Sequence, residues 1–274
     1  MDKQQNGQGP CISDGRALAR RNEVKVLRAL HRFGWLRTRD LAALVWWQPW
    51  ADKADGLPNL TPSRPTASAL RMAQRTLKRM RQQRLVLKAT GPDGGPLYAL
   101  AEAGARNLRE LGIAADSGKD LLRKFSASHY KHRNLANELA IAGILQGYRV
   151  STEREISRGL WPGGEAGIAG KKPDALLRSG AQWFWLEVER SARNTRDRDM
   201  LLRWLGHMRN QVFGRPAAQI AQGAVLARVI FICRPSFKKK LERDLLALGW
   251  SREQLNALIM FETALYSLEE IAFR

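Results

Sequence analysis

The sequence predicts an α/β (α+β) protein whose helical N-terminal part ends in a β-hairpin and whose C-terminal part forms a mixed central sheet flanked by helices. Three observations support this class. Apolar residues recur at helical spacing in the first hundred residues, a Gly-rich turn separates two short strand-like runs, and β-type segments alternate with helical ones after residue 126. With 274 residues, the chain is long enough for one large domain or two ordinary ones.

The composition is strongly basic. There are 46 Lys and Arg against 26 Asp and Glu, which gives a formal net charge of +20 at pH 7. An excess spread over the whole chain attracts polyanions, and nucleic acid is the natural partner of such a protein. A membrane-surface protein or an unusually charged soluble protein remain open as alternatives. A hydrophobic content of 44% excludes intrinsic disorder except at residues 1–20, which we expect to be a flexible tail.

The polar start and the cysteines bear on location. No run of 18 or more apolar residues and no signal-peptide pattern occur, so we expect a cytoplasmic protein without a membrane segment. Cys11 and Cys233 are far apart and have no Cys or His at zinc-ligand spacing. We therefore expect two free thiols.

Two helices joined by a short turn begin the first predicted domain, residues 21–115. From Glu23 the apolar residues recur at helical spacing up to Gly34, a natural helix end. Thr38 is the predicted N-cap of a second helix, which starts about four residues later. This close spacing is typical of a helix-turn-helix, and a proline-rich loop over residues 47–66 precedes the third helix.

The third predicted helix, residues 66–84, is amphipathic and basic. Leu70, Ala73 and Leu77 share one face. The basic residues of the other faces are Arg71, Arg75, Lys78, Arg79 and Arg81. A helix that is buried along one stripe and basic elsewhere can lie in the major groove, where Arg and Lys reach phosphates and guanine edges. We interpret it as a recognition helix.

A β-hairpin follows the third helix. The runs LVLKAT and PLYALA flank the turn GPDGG, and such a turn between apolar segments predicts a hairpin. This hairpin carries Lys88, a further candidate DNA contact, and a helix over residues 101–111 closes the domain. The order helix, helix, helix, hairpin, helix predicts a winged helix-turn-helix that binds double-stranded DNA. The alternative is a small α+β fold with a solvated basic face.

The second predicted domain, residues 120–274, mixes helices and strands. The predicted order is a helix over 126–147, strands over 148–156, 173–177 and 183–188, a helix over 197–212, a strand over 225–233, a helix over 237–248 and a strand over 258–261. We expect His132 and Arg133 on the first of these helices to contact DNA phosphates or to be structural, rather than to bind metal.

Carboxylates cluster on the predicted strands. Asp174 and Glu187 are 13 positions apart on consecutive strands, and Glu189 is two positions beyond Glu187. Side chains two apart on a strand share a face, so three carboxylates can converge. Such oxygen ligands favour Mg²⁺ or Mn²⁺, which would polarise a phosphodiester and activate water. The alternative is that Asp174 and Glu187 pair with neighbouring Arg residues on a solvated sheet edge.

These motifs carry a resemblance. PD followed by ExE, behind a helix that bears a glutamate, resembles the PD-(D/E)XK nuclease fold over residues 126–262. More narrowly, a winged helix followed by His132, Glu155, Pro173–Asp174 and the run EVER is similar to the replication-relaxation family of mobile genetic elements, which includes the MobC-type plasmid relaxases. The resemblance implies a metal-dependent endonuclease or nickase in plasmid or mobile-element transfer or replication, with other relaxosome or mobile-element proteins as partners.

The resemblance also implies residue roles. Asp174 and Glu187 would bind the metal, and Glu138 or Glu155 would complete the site. Glu189 occupies the position of the usual motif lysine, so a cation must come from elsewhere. The candidates are Arg190, Lys172 and Arg203. The absent lysine leaves open a non-catalytic DNA-binding accessory or regulator that keeps the nuclease fold as a scaffold. A third hypothesis is a transposase-type endonuclease subunit, which joins the two parts in the opposite order.

Overall fold

A computed structural model describes residues 14–47, 54, 56–123, 127–189, 194–214, 220 and 223–265. The helices in these segments are α1 (Gly15–Phe33), α2 (Thr38–Trp46), α3 (Ala67–Gln82), α4 (Glu102–Glu110), α5 (Lys119–Arg123), α6 (Ala127–Leu145), α7 (Glu153–Ser157), α8 (Thr195–Phe213), α9 (Pro235–Ala247) and α10 (Arg252–Leu258). The strands are β1 (Trp35–Arg37), β2 (Val86–Thr90), β3 (Pro96–Leu100), β4 (Arg149–Ser151), β5 (Ala175–Ser179), β6 (Gln182–Glu189), β7 (Val225–Cys233) and β8 (Ile259–Glu262). This mixture of helices and sheets confirms the predicted α/β class.

The N-terminal half contains an antiparallel sheet of order β1-β3-β2. The predicted hairpin is confirmed as β2 and β3, joined by a turn in which Gly91 N donates to Gly95 O at 2.8 Å. Gly94 has a φ of +78°, which a residue with a Cβ rarely adopts. Strand β1 was not predicted, because three buried residues in a row show no alternation.

Helix α1 begins earlier than the sequence indicates. The predicted tail of residues 1–20 is wrong for 15–20, which are helical, and residues 1–13 lie outside the described segments. Asp14 caps the helix, since its Oδ1 accepts a hydrogen bond from Arg16 N at 3.0 Å. The first buried residue of α1 is Val26. The early turns therefore carry no apolar periodicity that could have revealed them.

The C-terminal half is built on a mixed sheet of order β4-β5-β6-β7-β8. Strands β4, β5 and β6 pair antiparallel, whereas β6, β7 and β8 pair parallel. Phe184 and Leu186 on one face of β6 share a core cluster with Leu139 of α6. Trp185 on the other face shares a second cluster with Trp204 of α8. Helices thus cover both faces of the sheet.

The predicted strand over residues 148–156 is wrong beyond Ser151. Thr152 instead caps α7 in a capping box: its Oγ1 accepts from Glu155 N at 3.3 Å, and its own N donates to Glu155 Oε2 at 2.9 Å. Glu155 therefore lies on a helix. The short helix α10 was not predicted either.

The two halves share one core. A single hydrophobic cluster contains Leu41 of α2 and Leu139 of α6 together with residues of both sheets. Trp35 of β1 stacks on Tyr130 of α6 with ring centroids 5.2 Å apart. Arg37 Nη2 donates to Glu138 Oε1 at 2.6 Å across the same contact between the two halves, which we call the joint. The N-terminal half is therefore packed onto the C-terminal half.

Two further expectations concern the membrane and the thiols. In the segments that the structure describes, no helix has the length and apolarity needed to cross a bilayer. Cys233 is a free, buried thiol at the end of β7, and Cys11 lies outside the described residues.

Candidate DNA-binding surface and acidic site

Helix α3 presents the predicted DNA contacts to solvent. Thr66 caps the helix by accepting a hydrogen bond from Ala69 N at 3.1 Å, and Ala73, Leu77 and Met80 are buried beneath it. The exposed basic residues of the helix are Arg71, Arg75, Lys78, Arg79 and Arg81, and Lys88 of β2 is exposed as well. The core contacts fix the helix, and most of its charge remains accessible to a polyanion.

Arg133, predicted as a candidate DNA contact, has a different role. It is buried, and its Nη2 donates to Phe33 O at 2.9 Å. Its guanidinium lies 5.8 Å from the ring centroid of Trp35, and burial lowers the pKa of Arg133 although Glu153 opposes this effect. We therefore correct its assignment: Arg133 joins the two halves and does not offer its charge to DNA.

His132 lies beside the acidic residues. Its Nε2 is 3.4 Å from Asp174 Oδ2. Burial lowers the pKa of His132, but the carboxylates of Asp174, Glu153 and Glu187 outweigh burial and raise it to about 9. His132 is thus a partner of Asp174 at this site.

Asp174 and Glu187 are brought together where β5 meets β6. Asp174 directly precedes β5, and its backbone N donates to Leu186 O at 3.0 Å. Its Oδ2 accepts a hydrogen bond from Val188 N at 2.7 Å, which fixes the carboxylate against the strand that carries Glu187. The two carboxylates therefore lie close enough for the charge of Asp174 to raise the pKa of Glu187.

Glu187 is buried between a donor and a cation. Its Oε1 accepts from Trp185 Nε1 at 2.6 Å, and its Oε2 lies 2.6 Å from Lys171 Nζ. Burial raises the pKa of the Glu187 carboxyl. The neighbouring Lys171 and Trp185 lower this pKa, the charge of Asp174 raises it, and the net shift is upward. The carboxylate is thus costly to keep charged without its lysine.

Lys171 is held by a tight turn. Ile168 N donates to Lys171 O at 2.9 Å, and Lys171 N donates back to Ile168 O at 3.2 Å. The two intervening residues, Ala169 and Gly170, have φ of +50° and +76°, a conformation unusual for alanine. Trp204 Nε1 donates to Ile168 O at 2.9 Å and anchors the turn to α8. In the sequence nothing separates Lys171 from the adjacent Lys172, and only this turn places Lys171 against Glu187.

The remaining predicted carboxylates are divided between the site and the joint. Glu189 is buried on β6, two residues beyond Glu187 and on the same face. Glu138 instead accepts from Arg37, and Glu155 accepts from Arg32 Nε at 2.7 Å. We correct the predicted ligand role of Glu138 and Glu155, because arginines of the N-terminal half bind both.

The predicted replacement cations differ in position. Arg190 lies outside the described residues, and Lys172 is exposed. Arg203 lines a surface cavity of about 480 Å³ together with Lys171 and His207, and its Nε donates to Asp199 O at 3.4 Å. Lys171 contacts Glu187 as a cation, and it was not among the residues predicted from the sequence.

The donor set suits a hard divalent cation. Mg²⁺ commonly binds through one or two carboxylates and keeps water and phosphate oxygens as its other ligands. Asp174 and Glu187 provide such a pair, although no cluster of three His, Cys, Asp or Glu side chains suited to a metal occurs in the described segments. Comparison of the chain with protein-family profiles, with curated proteins and with solved structures finds no significant match.

Proposed function

We propose that the protein binds double-stranded DNA through a winged helix-turn-helix in its N-terminal half and cleaves one DNA strand at a PD-(D/E)XK-like site in its C-terminal half. The contact of Lys171 with Glu187, next to Asp174, is the observation that carries this proposal. It supplies two acids and one cation of the kind that phosphodiester hydrolysis uses.

The assignment as a winged helix is supported by the order of the elements. Helices α1, α2 and α3 precede the hairpin β2–β3, and β1 adds a third strand to that hairpin. The second and third helices pack against each other, and the third exposes its basic face. In such a domain this helix lies in the major groove, and the hairpin contacts the neighbouring backbone.

The assignment as a nuclease-like domain is supported by the sheet. Helix α6 is followed by the antiparallel strands β4, β5 and β6, and α8 then leads to the parallel strand β7. Asp174 stands at the start of β5, and Glu187 lies on β6. This is the spacing that the PD and ExE motifs imply.

The chemistry divides among the residues as follows. Asp174 and Glu187 would hold Mg²⁺ or Mn²⁺, which supplies Lewis-acid polarisation and activation of water when bound. Glu189 occupies the position of the usual motif lysine, and Lys171 supplies the cation instead. An ammonium in this position stabilises negative charge that develops on a phosphate. His132 orients Asp174 from the side of α6. We place this activity in the transfer or replication of a mobile element, with relaxosome proteins as partners.

A nicking assay on supercoiled plasmid tests the proposal. Wild-type protein with Mg²⁺ or Mn²⁺ should convert supercoiled to open-circular DNA, and Asp174→Asn should abolish the conversion. Glu253→Gln, an exposed acid on α10, is the matched control and should retain full activity. Equal conversion by wild type and Asp174→Asn would refute cleavage at this site.

A second function is favoured by the pairing within the site. Lys171 compensates Glu187 and His132 compensates Asp174, so the fold balances both charges without a metal. Such a protein would be a non-catalytic DNA-binding accessory or regulator that uses the domain as a scaffold. Titration calorimetry with Mn²⁺ separates the two functions: tight binding that is lost in Glu187→Gln supports the nuclease, and absence of binding supports the accessory role.

A further inference from the structure

The first turns of α1 form a cationic stretch that is mostly exposed. Among the described residues of this helix, full burial begins at Val26, and most of the residues from Gly15 to Arg21 are exposed. The exposed basic residues of the helix are Arg16, Arg20, Arg21, Lys25 and Arg28. Asp14 and Glu23 are its only nearby acids in the sequence, and Asp14 already caps the helix.

This charge pattern is unfavourable for an isolated helix. Positive side chains in the first turns oppose the helix dipole, and like charges four residues apart, as in Arg16 with Arg20 and Arg21 with Lys25, repel each other. The apolar core does not offset these effects, because it begins at Val26. A polyanionic partner would convert each of these costs into a favourable interaction.

The stretch is aligned with the surface of α3. Arg79 Nε lies 2.8 Å from Glu23 Oε1, which joins α1 to the last turn of α3. Arg20 and Arg16 precede Glu23 by three and seven positions, so all three share one face of α1. Arg16 and Arg20 therefore lie on the face of α1 that meets the basic helix α3 at Glu23.

We propose that the first turns of α1, with Arg16 and Arg20 at their centre, form a second DNA-contacting element that neutralises backbone phosphates flanking the groove occupied by α3. The inference rests on the proposed DNA binding by α3. Arg16 lies about 10 Å along the helix from Glu23, so the element lengthens the contact by about three base-pair steps. Phosphate contacts carry no direct sequence information, so the element adds affinity and not specificity.

Salt-dependent binding tests this element. Fluorescence anisotropy with one labelled duplex, over a series of NaCl concentrations, compares wild type with Arg16→Gln/Arg20→Gln. The slope of log K against log salt concentration should become less negative by about 2, because each lost phosphate contact removes roughly 0.9. The loss should be equal on duplexes of unrelated sequence.

The matched control is Lys239→Gln/Lys240→Gln, which removes two exposed charges from α9 in the other half of the chain. This control variant lowers the long-range attraction between protein and DNA by as much as the α1 variant does, but it should leave the slope within about 0.5 of the wild-type value. Circular dichroism confirms that both variants fold. Equal slopes for the α1 and α9 variants would overturn the proposal.

A third variant, Arg71→Gln/Arg75→Gln/Lys78→Gln, separates this inference from the proposed function. If the α3 variant loses binding and the α1 variant keeps the slope of the control, α3 binds DNA and the inference about α1 is wrong. If the α1 variant alone loses binding, α1 is a DNA contact and the role of α3 is wrong. Wild-type protein that does not bind duplex DNA would refute both.

Discussion

Lys171 and Glu187 form an ion pair inside the C-terminal half, with Nζ 2.6 Å from Oε2. Their side chains are only 19% and 4% exposed, and the lysine also lies 6.0 Å from the Trp185 ring and 5.6 Å from the Trp204 ring. Water has little access to this pair, so loss of the lysine removes a close charge partner from a buried carboxylate.

The first prediction concerns the stability of this pair. Lys171→Met should lower the free energy of unfolding by about 3 kcal/mol, because Glu187 stays buried after it loses the ion pair with Lys171. Lys171→Met/Glu187→Leu should recover most of this loss, since the buried carboxylate is removed together with the lysine. Urea unfolding of the single and double variants measures the coupling. The exposed Lys172→Met is the control, and strictly additive effects would contradict a coupled pair.

The second prediction concerns the role of Lys171 in cleavage. If the site nicks DNA, Lys171→Met should slow the reaction about 100-fold or more, the usual effect of removing one group that stabilises transition-state charge. Lys171→Arg should retain part of the activity because it keeps a cation at the site. Single-turnover nicking at saturating protein separates this effect from DNA binding. A Lys171→Met rate equal to that of the wild type would show that the cation comes from another residue.

The third prediction concerns the joint between the halves. Arg37 is buried, and its guanidinium binds both Asp40 and Glu138; these carboxylates raise its pKa although burial opposes them. Arg37→Met should cost about 3–5 kcal/mol, and Arg37→Lys should recover little because an ammonium lacks the planar fork.

Thermal and urea unfolding of the Arg37 variants provide the measurement. The control is Arg158→Met, which breaks an exposed pair with Asp116 and should cost less than about 1 kcal/mol. Similar losses in the Arg37 and Arg158 variants would mean that the buried network does not hold the joint.

The fourth prediction concerns Cys233. Burial raises the pKa of its thiol to about 12, and the nearby carboxylate of Glu189 adds to the effect. At pH 8 the folded protein should therefore react with a disulfide reagent about 1000-fold more slowly than the unfolded chain, because only the thiolate attacks. Cys11→Ser leaves Cys233 as the only thiol for this measurement. Rapid labelling of the folded variant would contradict the shift.

Some parts of the fold follow from local sequence. The hairpin β2–β3 was predictable because its turn needs glycine at a positive φ, as Gly94 shows. Helix α3 was predictable because its buried and charged residues alternate at helical spacing. Strand β7 matches the predicted residues 225–233 because an uninterrupted apolar run is typical of a strand covered on both faces.

Other parts depend on contacts distant in sequence. Strand β1 exists because it pairs with β3, about sixty residues later, and its three residues carry no pattern of their own. The strand predicted over residues 148–156 is replaced after Ser151 by helix α7, because the capping box of Thr152 competes with pairing in the sheet. Neither outcome could be predicted from local periodicity.

The candidate site divides in the same way. The sequence by itself indicated that Asp174 and Glu187 belong to consecutive strand segments, because apolar runs and their spacing are local properties; in the structure Asp174 directly precedes β5, and β5 pairs with the strand that carries Glu187. Tertiary structure decided which charges compensate them. A turn with unusual backbone angles brings Lys171 to Glu187, whereas Arg37 and Arg32 take Glu138 and Glu155 into the joint. Ion pairing depends on distance in space, and a chain with 46 Lys and Arg residues offers too many partners for sequence spacing to select one.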